Sequence, residues 1–140
     1  MRRTLKASVL LIGSLLAQAV LAETPLYTME QTETGLREYY CQATFTMKSD
    51  CPSRFADING FFYVYIGDDE VGRSKGASFQ FSKDETEATA LFETPNAPCD
   101  DIDGYEFVVG ACMEGRSFAD RNECAATIAT GGLIKATRGR

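Results

Sequence analysis

Five cysteines, Cys41, Cys51, Cys99, Cys112 and Cys124, are the residues best suited to covalent chemistry in a chain of 140 residues that has no histidine and no tryptophan. Without histidine there is no Ser-His-Asp or Cys-His arrangement to activate a nucleophile, and no imidazole to ligate a metal. The cysteines form no C-x-x-C pair, so zinc is poorly served. In an oxidising compartment their expected role is disulfide formation. Five is odd, which leaves at least one thiol outside any intramolecular pair.

The remaining candidates for chemistry are weaker. Ser74 with Lys75 and Ser82 with Lys83 would each have to form a serine-lysine dyad, but both pairs sit in loop-like or strand-end sequence and read as solvated surface. Two acidic clusters, Asp68-Asp69-Glu70 and Asp100, Asp101 with Asp103, invite a cation. The second lacks the alternate ligand spacing and distal glutamate of a calcium loop, so a polar turn rich in Asp and Gly accounts for it. A glycosidase with paired carboxylates would want a cleft and an aromatic platform that so short a chain without tryptophan is ill equipped to build. The expectation is a protein that is not an enzyme, with no cofactor and no metal.

The start of the chain says where these cysteines would mature. Arg2, Arg3 and Lys6 precede an uncharged apolar run from Ala7 to Leu16, and Val20 and Ala22 occupy the small-residue positions of a cleavage site. That is the anatomy of a signal peptide over residues 1–22. The apolar run falls well short of the ~20 residues that span a bilayer. Residues 23–140 are then one exported domain, periplasmic or secreted, with no membrane insertion after cleavage. Losing Arg2, Arg3 and Lys6 takes the formal charge from −6 to −9, which argues against nucleic acid or an anionic membrane as partner.

The elements that must position the cysteines are strands. Tyr39, Cys41, Ala43, Phe45 and Met47 alternate with Tyr40, Gln42, Thr44 and Thr46, the pattern of a half-buried strand with Cys41 pointing inward. Phe61 to Ile66 is apolar on both faces, follows Asn59-Gly60 as a turn signal, and reads as a central strand. Ala77, Phe79 and Phe81 alternate with Ser78, Gln80 and Ser82. Ala88 to Glu93, Tyr105 to Ala111 and Cys124 to Thr130 follow at similar spacing, and a weaker first strand lies near Leu26 to Gln31. The tail from Gly131 to Arg140 would extend the last strand. About seven short strands predict an all-β sandwich of immunoglobulin or fibronectin type III kind, with a small OB-like barrel as the rival.

Strand direction then selects the disulfides. In an up-and-down alternation the start of the second strand and the end of the fifth share a pole, and these two strands neighbour each other in one sheet. This pairs Cys41 with Cys99. Cys51, Cys112 and Cys124 fall at the opposite pole, where Cys112 with Cys124 would close the hairpin of the last two strands and leave Cys51 over. A bond from Cys41 to Cys51 would require the two ends of a rigid strand to meet.

Tyr39, Tyr40, Phe61, Phe62, Tyr63 and Tyr65 crowd onto two strands, and most must fill the core of a sandwich. One face of Phe61, Tyr63 and Tyr65 could remain outside as a contact surface or in an exchanged strand. Two loops at one pole, residues 48–59 and 113–123, together carry Phe55, Phe118, Arg54, Arg116 and Arg121. Aromatic and arginine side chains on neighbouring loops are what protein-binding hot spots use. Phe55, Arg116, Phe118 and Arg121 are therefore the candidate partner-binding residues.

The run VGRSKGASFQFSKDETEATALFET, then Cys99 and DGYEFVV, resembles the small exported family of interleukin receptor mimic protein A over roughly Cys41 to Ala111. The resemblance implies a fibronectin type III-like fold, room for a strand-exchanged homodimer, and binding to host cytokine-type or receptor proteins. Cys51, Cys112, Cys124 and the basic tail depart from it. The expected function is an exported, non-enzymatic protein-binding module. The alternative is a periplasmic inhibitor or accessory subunit of one envelope enzyme or complex.

Overall fold

The computed structural model describes residues 26–37, 40–50, 52–94 and 97–140. The expected signal peptide and Cys51 lie outside the described residues. In chain order the elements are β1 (Tyr27–Arg37), β2 (Tyr40–Ser49), β3 (Asp57–Ile66), β4 (Asp69–Arg73), β5 (Ala77–Gln80) and β6 (Glu87–Thr94). A 3₁₀ turn (Cys99–Asp101) leads to β7 (Gly104–Glu114), β8 (Ser117–Phe118), α1 (Arg121–Ala126), β9 (Ile128–Thr130) and β10 (Ile134–Gly139). One sheet has the order β6-β2-β1-β9. The other has the order β10-β7-β3-β4, with β5 also on β3 and β8 on β7. The result is the expected all-β sandwich.

Period-two burial builds the interior. Cys41, Ala43, Phe45 and Met47 of β2 are buried, as are Ala88, Ala90, Phe92 and Thr94 of β6; the residues between them are partly or fully exposed, except Thr46, which is buried and bonds Thr32. From the other sheet Ile58, Phe62 and Val64 of β3 meet Phe79, Tyr105 and Phe107. Phe62 is the hub: its ring stacks on Phe45 at 4.1 Å and lies 4.8 Å from Phe107. Each such ring removed from water contributes roughly 1.5–3 kcal/mol, which is how a chain of this size sustains its core.

Two readings of local sequence need correction. Asn59-Gly60 is no turn: both residues lie inside β3, at a bulge where its register with β7 shifts. Glycine is required there because a Cβ would overlap the Val108 carbonyl oxygen and come within 2.7 Å of the Phe107 ring. The segment Asp69–Arg73, read as acidic cluster and turn, forms edge strand β4 after a tight reversal at Gly67, whose φ is 61°. Its mostly exposed residues have no alternation to betray it.

The C-terminal quarter differs most from expectation. Cys124 does not start a strand but lies in α1, where Asp120 caps the first turn by accepting the Glu123 N–H at 2.9 Å. Asp120 and Glu123 have the spacing of a capping box, a helix-start signal that outranks the short apolar alternation behind it. After α1 the chain runs through β9, parallel to β1, then changes sheet and enters β10, parallel to β7. The tail is thus a separate strand in the opposite sheet, and these parallel edge pairings are additions to the antiparallel immunoglobulin pattern.

Both expected disulfides are present. Cys41 joins Cys99 with Cα atoms 4.7 Å apart, and Cys112 joins Cys124 at 6.5 Å. The first ties β2, whose neighbour is β6, to the 3₁₀ turn that follows β6. The second fastens α1 to β7 instead of closing a hairpin of two strands.

Candidate protein-binding surface

The loop joining β2 to β3 is held from below. The Tyr27 hydroxyl accepts the Phe55 N–H at 2.7 Å and bonds Ser53 Oγ at 2.8 Å, while Ser53 Oγ donates to the Phe55 carbonyl at 2.7 Å. This closed ring fixes the loop and turns Phe55 inward. Phe55 is fully buried, with its ring centroid 5.9 Å from that of Tyr27. Its expected role in partner binding is therefore corrected: the loop has to cap the sandwich end, and Phe55 is the side chain that fills it.

Arg54, beside it, lays its guanidinium over the outer side of the Phe55 ring, 4.8 Å from the centroid, and stitches the two loops together. Its guanidinium donates to Glu114 from Nε at 3.1 Å and from Nη2 at 3.3 Å, and to Glu123 from Nη2 at 2.7 Å. These hydrogen bonds raise the Arg54 pKa well above its ordinary value, Glu114 first and Glu123 next. Glu114 ends β7 and Glu123 lies in α1, so one exposed arginine spans the β2–β3 loop, the β7–β8 turn and the helix. The two loops placed at one pole by strand counting do meet there.

Beyond the turn, Met113 pairs with Phe118 and Glu114 with Ser117. The Ala119 N–H returns to the Cys112 carbonyl at 2.9 Å, and the Cys112–Cys124 bond follows from the same residue of β7. At the far side β10 comes close to α1. A Cβ on Gly139 would stand 2.9 Å from the Asn122 backbone nitrogen, so glycine permits the approach. The Arg140 N–H then donates to the Val109 carbonyl at 3.1 Å.

These fastenings enclose a surface cleft of ≈ 500 Å³, lined by Gly110, Ala111, Phe118, Ala119, Asp120, Arg121, Asn122 and Arg140. Two of the four expected contact residues, Phe118 and Arg121, share this cleft. Phe118 is 77% exposed, more than any other large apolar side chain among the described residues. Arg116 is exposed on the adjoining turn and is not a lining residue. Arg140 escaped the sequence reading because the tail read as an extension of the last strand, and Asn122, although inside the loop 113–123, was not singled out because Arg121 to Glu123 read as loop and only Cys124 onward as strand. The capping pair Asp120 and Glu123 was the available signal.

The other features singled out in the sequence are spent on structure. Ser74 Oγ accepts the Phe62 N–H at 2.8 Å where β3 passes from β4 to β5, so it satisfies a buried backbone donor. The Asp103 carboxylate accepts the Gly67 N–H, bracing the β3–β4 turn. Among the described residues no group of three or more Cys, Asp or Glu side chains is placed to hold a metal. On the outer face of β3 the aromatic residues are covered by cations: the Arg73 guanidinium lies 3.8 Å from the Phe61 centroid, and Arg138, paired with Glu106, reaches over Tyr63 at 6.0 Å. A second cleft, ≈ 570 Å³, runs between β6 and the β4–β5 segment past Tyr40, Lys75 and the exposed Leu91.

Comparison with known proteins yields no matching family model and no matching curated protein. A solved structure of IrmA from Escherichia coli does match. The chain resembles it in fold. The TM-score is 0.59 at 10% sequence identity, over 81% of this chain and 100% of that one. The resemblance carried by the sequence from Cys41 to Ala111 is thus met in the architecture, since this chain's β-sandwich superimposes on that fold. At that identity the likeness is one of fold, and side chains of the two proteins need not share a task.

Proposed function

We propose that this chain is an exported, non-enzymatic protein-binding module that engages its partner through the cleft of Phe118, Arg121 and Arg140. The observation that carries the reading is the pairing of high exposure with rigid support. Phe118 stands out in solvent, yet its strand, the turn before it and the helix after it are pinned by a disulfide, a three-way ion pair and a capped first turn. A pre-ordered aromatic and arginine pair loses little entropy on docking, and such residues dominate interface energetics. The two disulfides fit an oxidising compartment and so support export.

The finer form of the reading takes its partner class from the sequence resemblance, host cytokine-type or receptor proteins. The alternative partner is a single envelope enzyme or complex. A partner is first identified by crosslinking from both sources, and binding is then measured for Phe118→Ala, Arg121→Ala and Tyr63→Ala. Either of the first two should weaken binding by roughly 1–3 kcal/mol with the fold intact. Loss with Tyr63→Ala, and none with the other two, would move the site to the sheet face.

A further inference from the structure

We propose that the cleft recognises an acidic side chain carried next to an apolar one on a segment of the partner protein. This deepens the protein-binding reading and rests on it. The argument begins with how the arginines are distributed. Of those whose side chains are described, Arg54 pairs with Glu114 and Glu123, Arg138 pairs with Glu106, and Arg73 lies on Phe61. The three others, Arg116, Arg121 and Arg140, have no carboxylate partner among the described residues, and all three belong to this pole. An acidic chain with 20 Asp and Glu residues against 14 Lys and Arg has carboxylates to spare, yet none among the described residues pairs with these guanidinium groups.

Guanidinium is built for planar, two-pronged recognition of a carboxylate, and it holds one better than ammonium does. Arg121 and Arg140 line the cleft together with Asn122, which adds an amide. Asp120, the acidic lining residue, has its Oδ1 engaged by the Glu123 N–H at 2.9 Å. Phe118 forms the apolar side of the same cleft, and Gly110 and Ala111 keep its floor low. An incoming segment therefore meets cation and aromatic within one depression, which calls for a carboxylate beside an aliphatic or aromatic residue.

The test uses the full exported protein, labelled with ¹⁵N, and four probes. They are a peptide of repeated Leu-Asp-Glu, its Leu-Asn-Gln counterpart, its Leu-Lys-Lys counterpart and a heparin oligosaccharide. The acidic peptide should shift the amide resonances of Gly110, Ala111, Phe118 to Asn122 and Arg140. The Leu-Asn-Gln peptide should bind at least about tenfold more weakly, as should the acidic peptide to the Arg121→Gln, Arg140→Gln double variant with its melting temperature unchanged. Equal binding of the acidic and amide peptides, shifts that map elsewhere, binding of heparin alone, or no binding at all would overturn the proposal. If Phe118→Ala still weakens the natural partner while the acidic peptide fails, the binding surface stands and its preference for acid falls.

Discussion

Phe55 and Phe118 look alike in sequence, each on a loop beside an arginine, and replacing each with alanine should separate them completely. The Phe55 ring is fully buried, stacked on Tyr27 and capped by the Arg54 guanidinium at 4.8 Å from its centroid. Deleting it forfeits the transfer free energy of a whole ring and leaves a cavity under a loop held by three hydrogen bonds, which costs about 3–5 kcal/mol. Phe118, 77% exposed, leaves no cavity, so Phe118→Ala should change stability by no more than about 0.5 kcal/mol. Urea unfolding followed by tyrosine fluorescence, with the slope checked for constancy, reads both values. Phe55→Leu refines the result: it keeps much of the volume and should recover more than half of the loss. If Phe55→Ala proves as mild as Phe118→Ala, the loop does not plug the sandwich end and its side chains have been assigned to the wrong faces.

Non-reducing peptide mapping should recover Cys41 with Cys99 and Cys112 with Cys124, and a bond from Cys41 to Cys51 would contradict the strand directions. Replacing Cys112 and Cys124 together by serine should cost about 3 kcal/mol in the loop-entropy model, against about 4 for the longer loop closed by Cys41 and Cys99. Gly60→Ala should cost about 3 kcal/mol or more, or prevent folding, since its Cβ would force β3 and β7 apart. Gly76→Ala, with nothing within 4 Å of a new Cβ, should stay within about 0.5 kcal/mol. Burial pushes the Tyr105 pKa up to about 12 from an ordinary 10.0. The unfolded chain therefore loses that proton first, so stability should hold below pH 10, fall between about pH 10 and 12, and fall less steeply in Tyr105→Phe.

Legibility in the sequence followed the reach of the physical signals. Alternation across Cys41 to Met47 and Ala88 to Phe92 reports a half-buried strand directly, and it brought the Cys41–Cys99 bond with it. β4 was hidden because Asp69–Arg73 is an exposed edge strand that buries nothing. α1 was hidden because six residues are too few to show a helical period, leaving Asp120 and Glu123 as its whole signature. Reading Cys124 to Ala126 as strand kept the Cys112–Cys124 pairing intact but mistook what it fastens, and reading the tail as its extension concealed Arg140 from the site. Phe55 marks a different limit: only the hydroxyl of Tyr27, 28 residues earlier, decides that it turns in while Phe118 turns out.

The most direct test of the binding surface is site-specific photocrosslinking in the exported protein, with a benzophenone side chain placed at position 118 and, separately, at positions 44 and 80. Position 118 should give one discrete heteromeric product that disappears with Arg121→Gln. Thr44, on the outer face of the opposite sheet, and Gln80, three strands across the same sheet from Phe118, should give none. A product from 44 or 80 with none from 118 would contradict the account.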